Sequence, residues 1–167
     1  MRTHPATTVT WGELAAEVDV ALAPLVLETW RAGIATIHSC QDVGENVASL
    51  LEELPHLADV VRRETGRASL GFADADAMVA FLDAVAGAGP GDELYERMVH
   101  WATPEAWQLV VAVRDEGAAD AEEGPSGSHL APASYQVRFP ATDVPEMTER
   151  LCRHNQERRC GGGRASP

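Results

Sequence analysis

Apolar and polar residues alternate along the chain with two periods, one typical of helices and the other of strands. Spacings of three and four residues predict helices over about 18–32 and 46–54, and further helices that begin near residues 55, 74, 92 and 142. Alternation predicts strands over 34–40, 68–72, 107–114 and 134–139. The strand 34–40 carries Cys40, with His38 two residues before it, and we expect any chemistry to lie there.

The first twenty residues give a weaker pattern. Residues 1–8 are polar, and we expect them to fray. Thr10 and Glu13 have the spacing of a capping box, which predicts a helical turn, although Gly12 disfavours a helix there. Gly33 follows the first strong helix and is suited to its C′ position.

The predicted elements repeat in the order helix, strand, strand, helix. The junction L-G-F-A-D-A-D-A-M resembles V-R-F-P-A-T-D-V-P-E-M, and each contains a core-facing aromatic residue, Phe72 or Phe139. The repeat predicts an α+β fold, a two-layer sandwich in which two αββα-like halves share a mostly antiparallel four-stranded sheet with helices on one face. We expect one domain over 1–160, with halves at about 12–88 and 92–158. Residues 117–132 are acidic and rich in Gly, Ser and Pro, which predicts a mobile loop, and 160–167 a disordered tail.

Side-chain parity divides the predicted sheet into an apolar and a polar face. The apolar face takes Ala35, Ile37, Leu70, Phe72, Leu109, Val111, Tyr135, Val137 and Phe139. The polar face takes Thr36, His38, Cys40, Ser69, Gly71, Gln108, Arg114, Gln136 and Arg138. Its arginines and histidine are suited to a carboxylate or phosphate ligand. The same pattern is typical of a solvated sheet face, or of a face that packs against another protomer.

Composition narrows the choice of partners. The net charge of −13 and the pI of about 4.7 argue against binding to nucleic acid or to an anionic membrane. No apolar run is long enough to span a bilayer, and the first residues lack a secretory signal. The three cysteines are widely spaced, which is typical of reduced thiols. We expect a cytoplasmic protein that is a monomer or a homodimer.

Cys40 and His38 are the candidates for nucleophilic catalysis. A histidine near a thiol favours the reactive thiolate. However, residues i and i+2 of a strand lie about 6.5 Å apart, which is long for a catalytic pair. A small cysteine that packs well beside a tight turn is the structural alternative, and the sequence favours it.

The remaining reactive residues form no recognisable site. Cys152, His154 and Cys160 could join Cys40 and His38 at zinc, but their spacing matches no standard zinc motif. Carboxylates are numerous and scattered, and the sequence contains no phosphate-binding loop, dinucleotide fingerprint or hydrolase elbow. The sequence therefore predicts no metal and no cofactor.

Part of the chain resembles a group of small, functionally uncharacterised proteins from actinobacteria and their phages. The matching residues are Val18, Asp19, Leu22, Pro24 and Leu25, then Trp30, Gly33, Ile34, Thr36, Ser39, Cys40 and Gln41, and then Phe72, Phe81 and Leu82. The S-C-Q step is the most specific part of the pattern, and such proteins often continue with Gln-Gly where this chain has Gln41-Asp42. The resemblance covers about half of the chain and implies no particular activity.

These observations favour a non-enzymatic binding or regulatory module for a small anionic ligand or a protein partner. Its expected binding residues lie on the polar face and the turn that follows it: Thr36, Ser39, Gln41, Gln108, Arg114, Gln136 and Arg138. The alternative is a small thiol-dependent enzyme that acts on an anionic substrate through Cys40 and His38.

Overall fold

A computed structural model describes residues 4–87, 89–100, 102–113 and 133–161. Arg114, the predicted loop 117–132 and residues 162–167 of the predicted tail lie outside the described residues. A first hairpin is formed by β1 (Ala6–Trp11) and β2 (Leu14–Asp19). The main sheet contains β3 (His38–Cys40), β4 (Arg67–Phe72), β5 (Gln108–Val113) and β6 (Ala133–Pro140). The helices are α1 (Ala23–Arg31), α2 (Val43–Ala48), α3 (Ala58–Glu64), α4 (Ala75–Ala86), α5 (Glu93–Val99) and α6 (Val144–Gly161), with 3₁₀ turns at Pro55–Leu57 and Ala141–Asp143.

The main sheet has the strand order β3-β4-β6-β5, and every neighbouring pair is antiparallel. The predicted α+β fold with a four-stranded antiparallel sheet is therefore confirmed. The order α1-β3-β4-α4 is followed by α5-β5-β6-α6, and α2 and α3 lie between β3 and β4. Helices α1 and α4 both pack against α6, and α4 also contacts the central strands β4 and β6.

Apolar side chains from the central strands and from three helices form the core. Each of them is buried, and they are Leu70, Phe72, Val137 and Phe139 from the sheet, and Leu25, Val26, Phe81, Val85, Met147 and Leu151 from the helices. The helices begin where the sequence supplies side-chain caps. Asp74 accepts a hydrogen bond from the Ala77 backbone N–H at 2.7 Å, and Asp92 accepts one from Tyr95 at 3.0 Å, at the positions where the sequence predicts these helices to begin.

The first nineteen residues differ most from the sequence-based prediction. The predicted frayed residues 6–8 belong to β1, and the predicted capping-box turn is the two-residue loop of a hairpin. Gly12 has a positive φ of 58° at the first loop position, which a hairpin turn of this length favours. Val9 and Val18 are the buried residues of the hairpin and join the core. The first helix therefore begins at Ala23 rather than near residue 18, with Pro24 in its first turn.

The edge strands also depart from prediction. The strand predicted over 34–40 is limited to His38–Cys40, and Ile37 is 54% exposed instead of buried. Leu109 and Val111 lie opposite Val137 and Tyr135, so they are on the apolar face as parity requires. Nevertheless they are 58% and 55% exposed. Parity predicted the face correctly, but it cannot indicate how far the helices extend over an edge strand.

In the insertion between β3 and β4, the start of α2 packs closely against the end of α3. Asp42 caps α2 by accepting from the Glu45 N–H at 3.0 Å, and its other oxygen accepts from Gly66 N–H at 2.8 Å. This double contact brings Gly44 against Thr65. A Cβ atom at position 44 would lie 2.5 Å from the Cα atom of Thr65. Only glycine fits here.

We expect Gly44→Ala to lower the free energy of unfolding by about 1–3 kcal/mol because of this overlap. Helix propensity alone would change stability by about 1 kcal/mol in the opposite direction. Urea denaturation measures the difference, with Ser49→Ala at the exposed end of α2 as the control. An unchanged or raised stability of Gly44→Ala would contradict the close packing.

Candidate functional site

Two cavities lie on either side of the turn that follows β3. The polar cavity, of about 220 Å³, is lined by His4, Glu17, Asp19, His38, Ser39, Cys40 and Asn46. The apolar cavity, of about 310 Å³, is lined by His4, Ala21, Leu22, Gln41, Asp42, Glu45, Ala68, Ala141, Val144 and Pro145. The first contains residues from β2 and β3, and the second contains residues from α2, from β4 and from the start of α6. His4 belongs to both, so the two cavities adjoin one another at this side chain.

Gln41 fixes the turn between the two cavities. Its backbone N–H donates to Asp19 Oδ2 at 2.9 Å, which ties the end of β3 to the end of β2. Its side-chain Nε2 lies 3.1 Å from His4 Nδ1. An amide Nε2 can only donate, so His4 Nδ1 accepts, and in the neutral ring the hydrogen is then on Nε2. The S-C-Q step therefore positions His4.

His4 is the least satisfied polar residue of the site. Its side chain is only 10% exposed, and Nε2 has no hydrogen-bond partner within the described part of the chain. The nearest carboxylate oxygen, Glu45 Oε2, is 3.4 Å away, close enough for electrostatic attraction but without hydrogen-bond geometry. A buried polar nitrogen without a partner is uncommon, and it is typical of a position where a ligand or a water binds.

The electrostatic character of the site is acidic. Carboxylates line both cavities, namely Glu17 and Asp19 in the polar one and Asp42 and Glu45 in the apolar one. Burial lowers the pKa of His38, and Arg138 acts in the same direction, while Asp19 opposes them. His38 is therefore expected to be neutral near pH 7, although the residue as a whole remains exposed. No arginine lines either cavity, so the carboxylates determine the field there.

Cys40 has the properties of a structural thiol. The side chain is buried, and Sγ donates a hydrogen bond to the Asp42 carbonyl oxygen at 3.3 Å. Burial raises the pKa of the Cys40 thiol, and the carboxylates of Asp19 and Asp42 add to this effect. A catalytic cysteine–histidine pair needs the reverse, a lowered thiol pKa beside a protonated imidazole. The geometry therefore does not favour a thiolate at this position.

The polar sheet face is arranged as parity predicted. Across the strands, Cys40 lies opposite Ser69, Ser69 opposite Arg138, and Arg138 opposite Gln108. A second row contains His38, Gly71, Gln136 and Val110. Arg114, which was predicted to belong to this face, lies outside the described residues.

Two of the predicted binding residues on this face, Gln136 and Arg138, contact one another. Gln136 donates to Ser69 Oγ at 3.1 Å and accepts from Arg138 Nε at 2.9 Å. Nη1 of Arg138 lies 3.5 Å from Oε2 of Glu64, a residue of α3 whose side chain is 1% exposed. The cation of this face is thus neutralised internally. Neither Gln108, Gln136 nor Arg138 lines either cavity.

The other predicted site residues have mixed positions. Ser39 lines the polar cavity but lies opposite Leu70, so it belongs to the other parity from His38 and Cys40. Thr36 accepts a hydrogen bond from the indole Nε1 of Trp30 at 2.9 Å, and it borders a smaller cavity of about 170 Å³ beside the polar one. The structure therefore brings together His38, Ser39, Cys40 and Gln41, and it separates them from the sheet-face residues.

Metal ligation finds no geometric support among the described residues, since no three histidine, cysteine or acidic side chains are grouped for it. Cys152, His154 and Cys160 all lie on α6, and the first is half-buried while the last is exposed. No helix in the described ranges is both long and apolar enough to cross a membrane.

Sequence reasoning missed the site residues that come from the N-terminal hairpin and the α2–α3 insertion. Asp19 was part of the quoted V-D pattern, which was a usable signal. Glu64 follows the apolar positions Val60 and Val61 at helical spacing, so its burial could also have been predicted. His4 gave no signal, because an isolated histidine in a polar N-terminal segment has no pattern.

Comparison with protein-family models, with curated proteins and with solved structures gives no match for this chain. The resemblance of the S-C-Q region to actinobacterial proteins therefore stays a prediction, and the cavities themselves must support any functional assignment.

We expect Cys40 to titrate with an apparent pKa above the ordinary value of about 8.5. The measurement is the pH dependence of alkylation in a Cys152→Ser/Cys160→Ser variant. A variant that keeps only the exposed Cys160 is the control for an accessible thiol. An apparent pKa below the ordinary value would reverse the structural interpretation of Cys40.

His38 should make stability sensitive to mild acid. Its folded pKa lies below the unfolded value of about 6.5, so the unfolded chain takes up the proton first as the pH falls. The contribution of neutral His38 is therefore present above about pH 6.5 and lost below it. Denaturant unfolding between pH 7 and pH 5, values chosen to bracket that pKa of about 6.5, should show a smaller loss in His38→Gln than in the wild type. The exposed His56→Gln variant should retain the wild-type loss, and equal slopes for all three proteins would exclude this role of His38.

Proposed function

We propose that this protein is a small-molecule binding module whose ligand occupies the two cavities beside the His38–Gln41 turn. The observation that carries the proposal is His4, a residue that lines both cavities and whose buried Nε2 has no hydrogen-bond partner in the described chain. A ligand atom that accepts a hydrogen bond from this nitrogen would satisfy it.

The charge distribution favours a ligand that also carries a cationic group. Glu17 and Asp19 line the polar cavity, and the nearest arginine of the sheet, Arg138, already has Glu64 as its partner. A protonated amine would be attracted by these carboxylates, and a carboxylate or phosphate would be repelled. For this reason we favour an amine ligand over the anionic ligand that the arginines of the sheet face suggested.

The second cavity indicates the rest of the ligand. Its walls include Leu22, Ala68, Val144 and other small apolar side chains, and its volume of about 310 Å³ is at the lower end for ligand sites. A short apolar group would fit there and gain about 25 cal/mol for each Å² removed from water. The proposed ligand class is thus a small amine with a hydrogen-bond acceptor and a short apolar stem.

The thiol-dependent alternative has no comparable support. The raised pKa of Cys40 and the lowered pKa of His38 both favour the neutral forms, which are poor partners for nucleophilic attack. Cys40 also uses its hydrogen in a bond to the Asp42 carbonyl.

Matched fragments test the charge preference directly. n-Butylamine, n-butanol and n-butyrate each contain four carbon atoms and differ in the charge of their head group. We expect the amine to bind more tightly than the alcohol by about threefold to tenfold, and the butyrate to bind weakest. Chemical-shift changes of backbone amides in the titrated protein give the affinities and locate the site.

Variants of residues that line the cavities test whether the charge preference arises there. Glu17→Gln should reduce the advantage of the amine, and His4→Phe should weaken any ligand that accepts a hydrogen bond from His4. Glu149→Gln removes an exposed carboxylate of α6 that lines neither cavity, and it should behave as wild type. Equal affinity for all three fragments, or shifts located elsewhere on the chain, would rule the proposal out.

A further inference from the structure

The outer edge of β5 combines a free backbone with exposed apolar side chains. Within the described residues, β5 pairs only with β6, so its other edge has no strand beside it. On the helix-facing side, Leu109 and Val111 are 58% and 55% exposed, the highest exposures among the large apolar residues that the structure describes. Backbone groups on a bare edge and apolar side chains next to them are together suited to pairing with another strand.

This edge lacks the features by which proteins block unwanted pairing. The strand reads Q-L-V-V-A-V, with no charged residue and no proline, although the chain as a whole is 23% charged. The opposite edge of the sheet is different, because β3 has only three residues and lies beside β2 of the hairpin. Growth of the sheet by strand pairing is therefore possible at β5 and hindered at β3.

We propose that β5 pairs with β5 of a second copy of this chain, which joins two four-stranded sheets into one continuous sheet. Two-fold antiparallel pairing places every residue opposite one of the same parity, whatever the register. Leu109 and Val111 of both copies would therefore lie on the same side of the joined sheet. The strand is complementary to itself in its exposed side chains as well as in its backbone, and the blocked β3 edge limits the assembly to two copies.

The chain itself offers little to cover this patch instead. Residues 114–132 follow β5 directly in sequence, but they contain a single large apolar residue, Leu130, among many acidic and small ones. The net charge of −13 on each copy opposes association. A six-residue strand is also a short interface, so we expect a micromolar dimer that strengthens as salt screens the repulsion.

Sedimentation velocity over a wide range of protein concentrations tests the proposal. The wild type should shift from monomer to dimer, and Leu109→Lys/Val111→Lys should weaken the dimer by about tenfold or more. Added lysines also reduce the negative charge, so charge alone would act in the opposite direction. Leu50→Lys/Val79→Lys, at two other exposed apolar positions, is the matched control and should dimerise at least as well as wild type.

Three outcomes would overturn the proposal. The first is that the wild type stays monomeric at every concentration and salt level. The second is that the β5 variant dimerises as well as the wild type. The third is that the control variant weakens the dimer as much as the β5 variant does. Hydrogen exchange adds an independent readout, because protection of the β5 edge amides should rise with protein concentration. Protection that does not depend on concentration would mean that the edge is covered within one chain. If circular dichroism shows that the lysine variant does not fold, Leu109→Gln/Val111→Thr is used in its place, because it better preserves the strand propensity.

Discussion

The burial of the central strand β4 on both of its faces is the constraint on which the rest of the structure depends. All six residues from Arg67 to Phe72 are buried, although polar residues occupy one of the two faces. A guanidinium removed from water costs several kcal/mol unless its donors are satisfied. Arg67 meets this requirement by donating to two carbonyl oxygens. Its Nη1 lies 2.9 Å from the Ala106 oxygen, and its Nη2 donates to the Pro104 oxygen. The strand thereby fixes the segment that leads into β5.

The same constraint explains how the polar side chains on one face of the sheet are satisfied. Ser69 is fully buried, and its hydroxyl accepts from Gln136, which in turn accepts from Arg138. Glu64 comes from α3, at the end of the insertion, and supplies the negative charge that Arg138 needs. A polar residue in the middle of a sheet is thus used for internal hydrogen bonds, and the side chains that remain for a ligand lie at the edge strand and the hairpin.

Much of the fold could be predicted from the sequence because local patterns determine it. The α+β class, the four strands of the main sheet, the caps at Asp74 and Asp92 and the face of each strand residue all follow from spacing and parity. The hairpin β1–β2 could not be separated from a helix start, because T-W-G-E satisfies both a capping box and a two-residue turn. The candidate site was only half predicted, since His38–Gln41 is a local motif whereas His4 and Asp19 reach it through tertiary contacts.

The lining of the two cavities is acidic, in a protein that is already strongly acidic. Four carboxylates lie around one turn and repel one another, namely Glu17, Asp19, Asp42 and Glu45. Asp19 holds Gln41, and Asp42 holds α2 and Gly66. A cation that enters between them would relieve this repulsion and strengthen both ties. Ligand binding and the stability of the β3 turn would then be linked, because a ligand that binds only the folded state stabilises it. The S-C-Q step lies at this turn, where the Gln41 backbone N–H holds the hairpin to the sheet through Asp19.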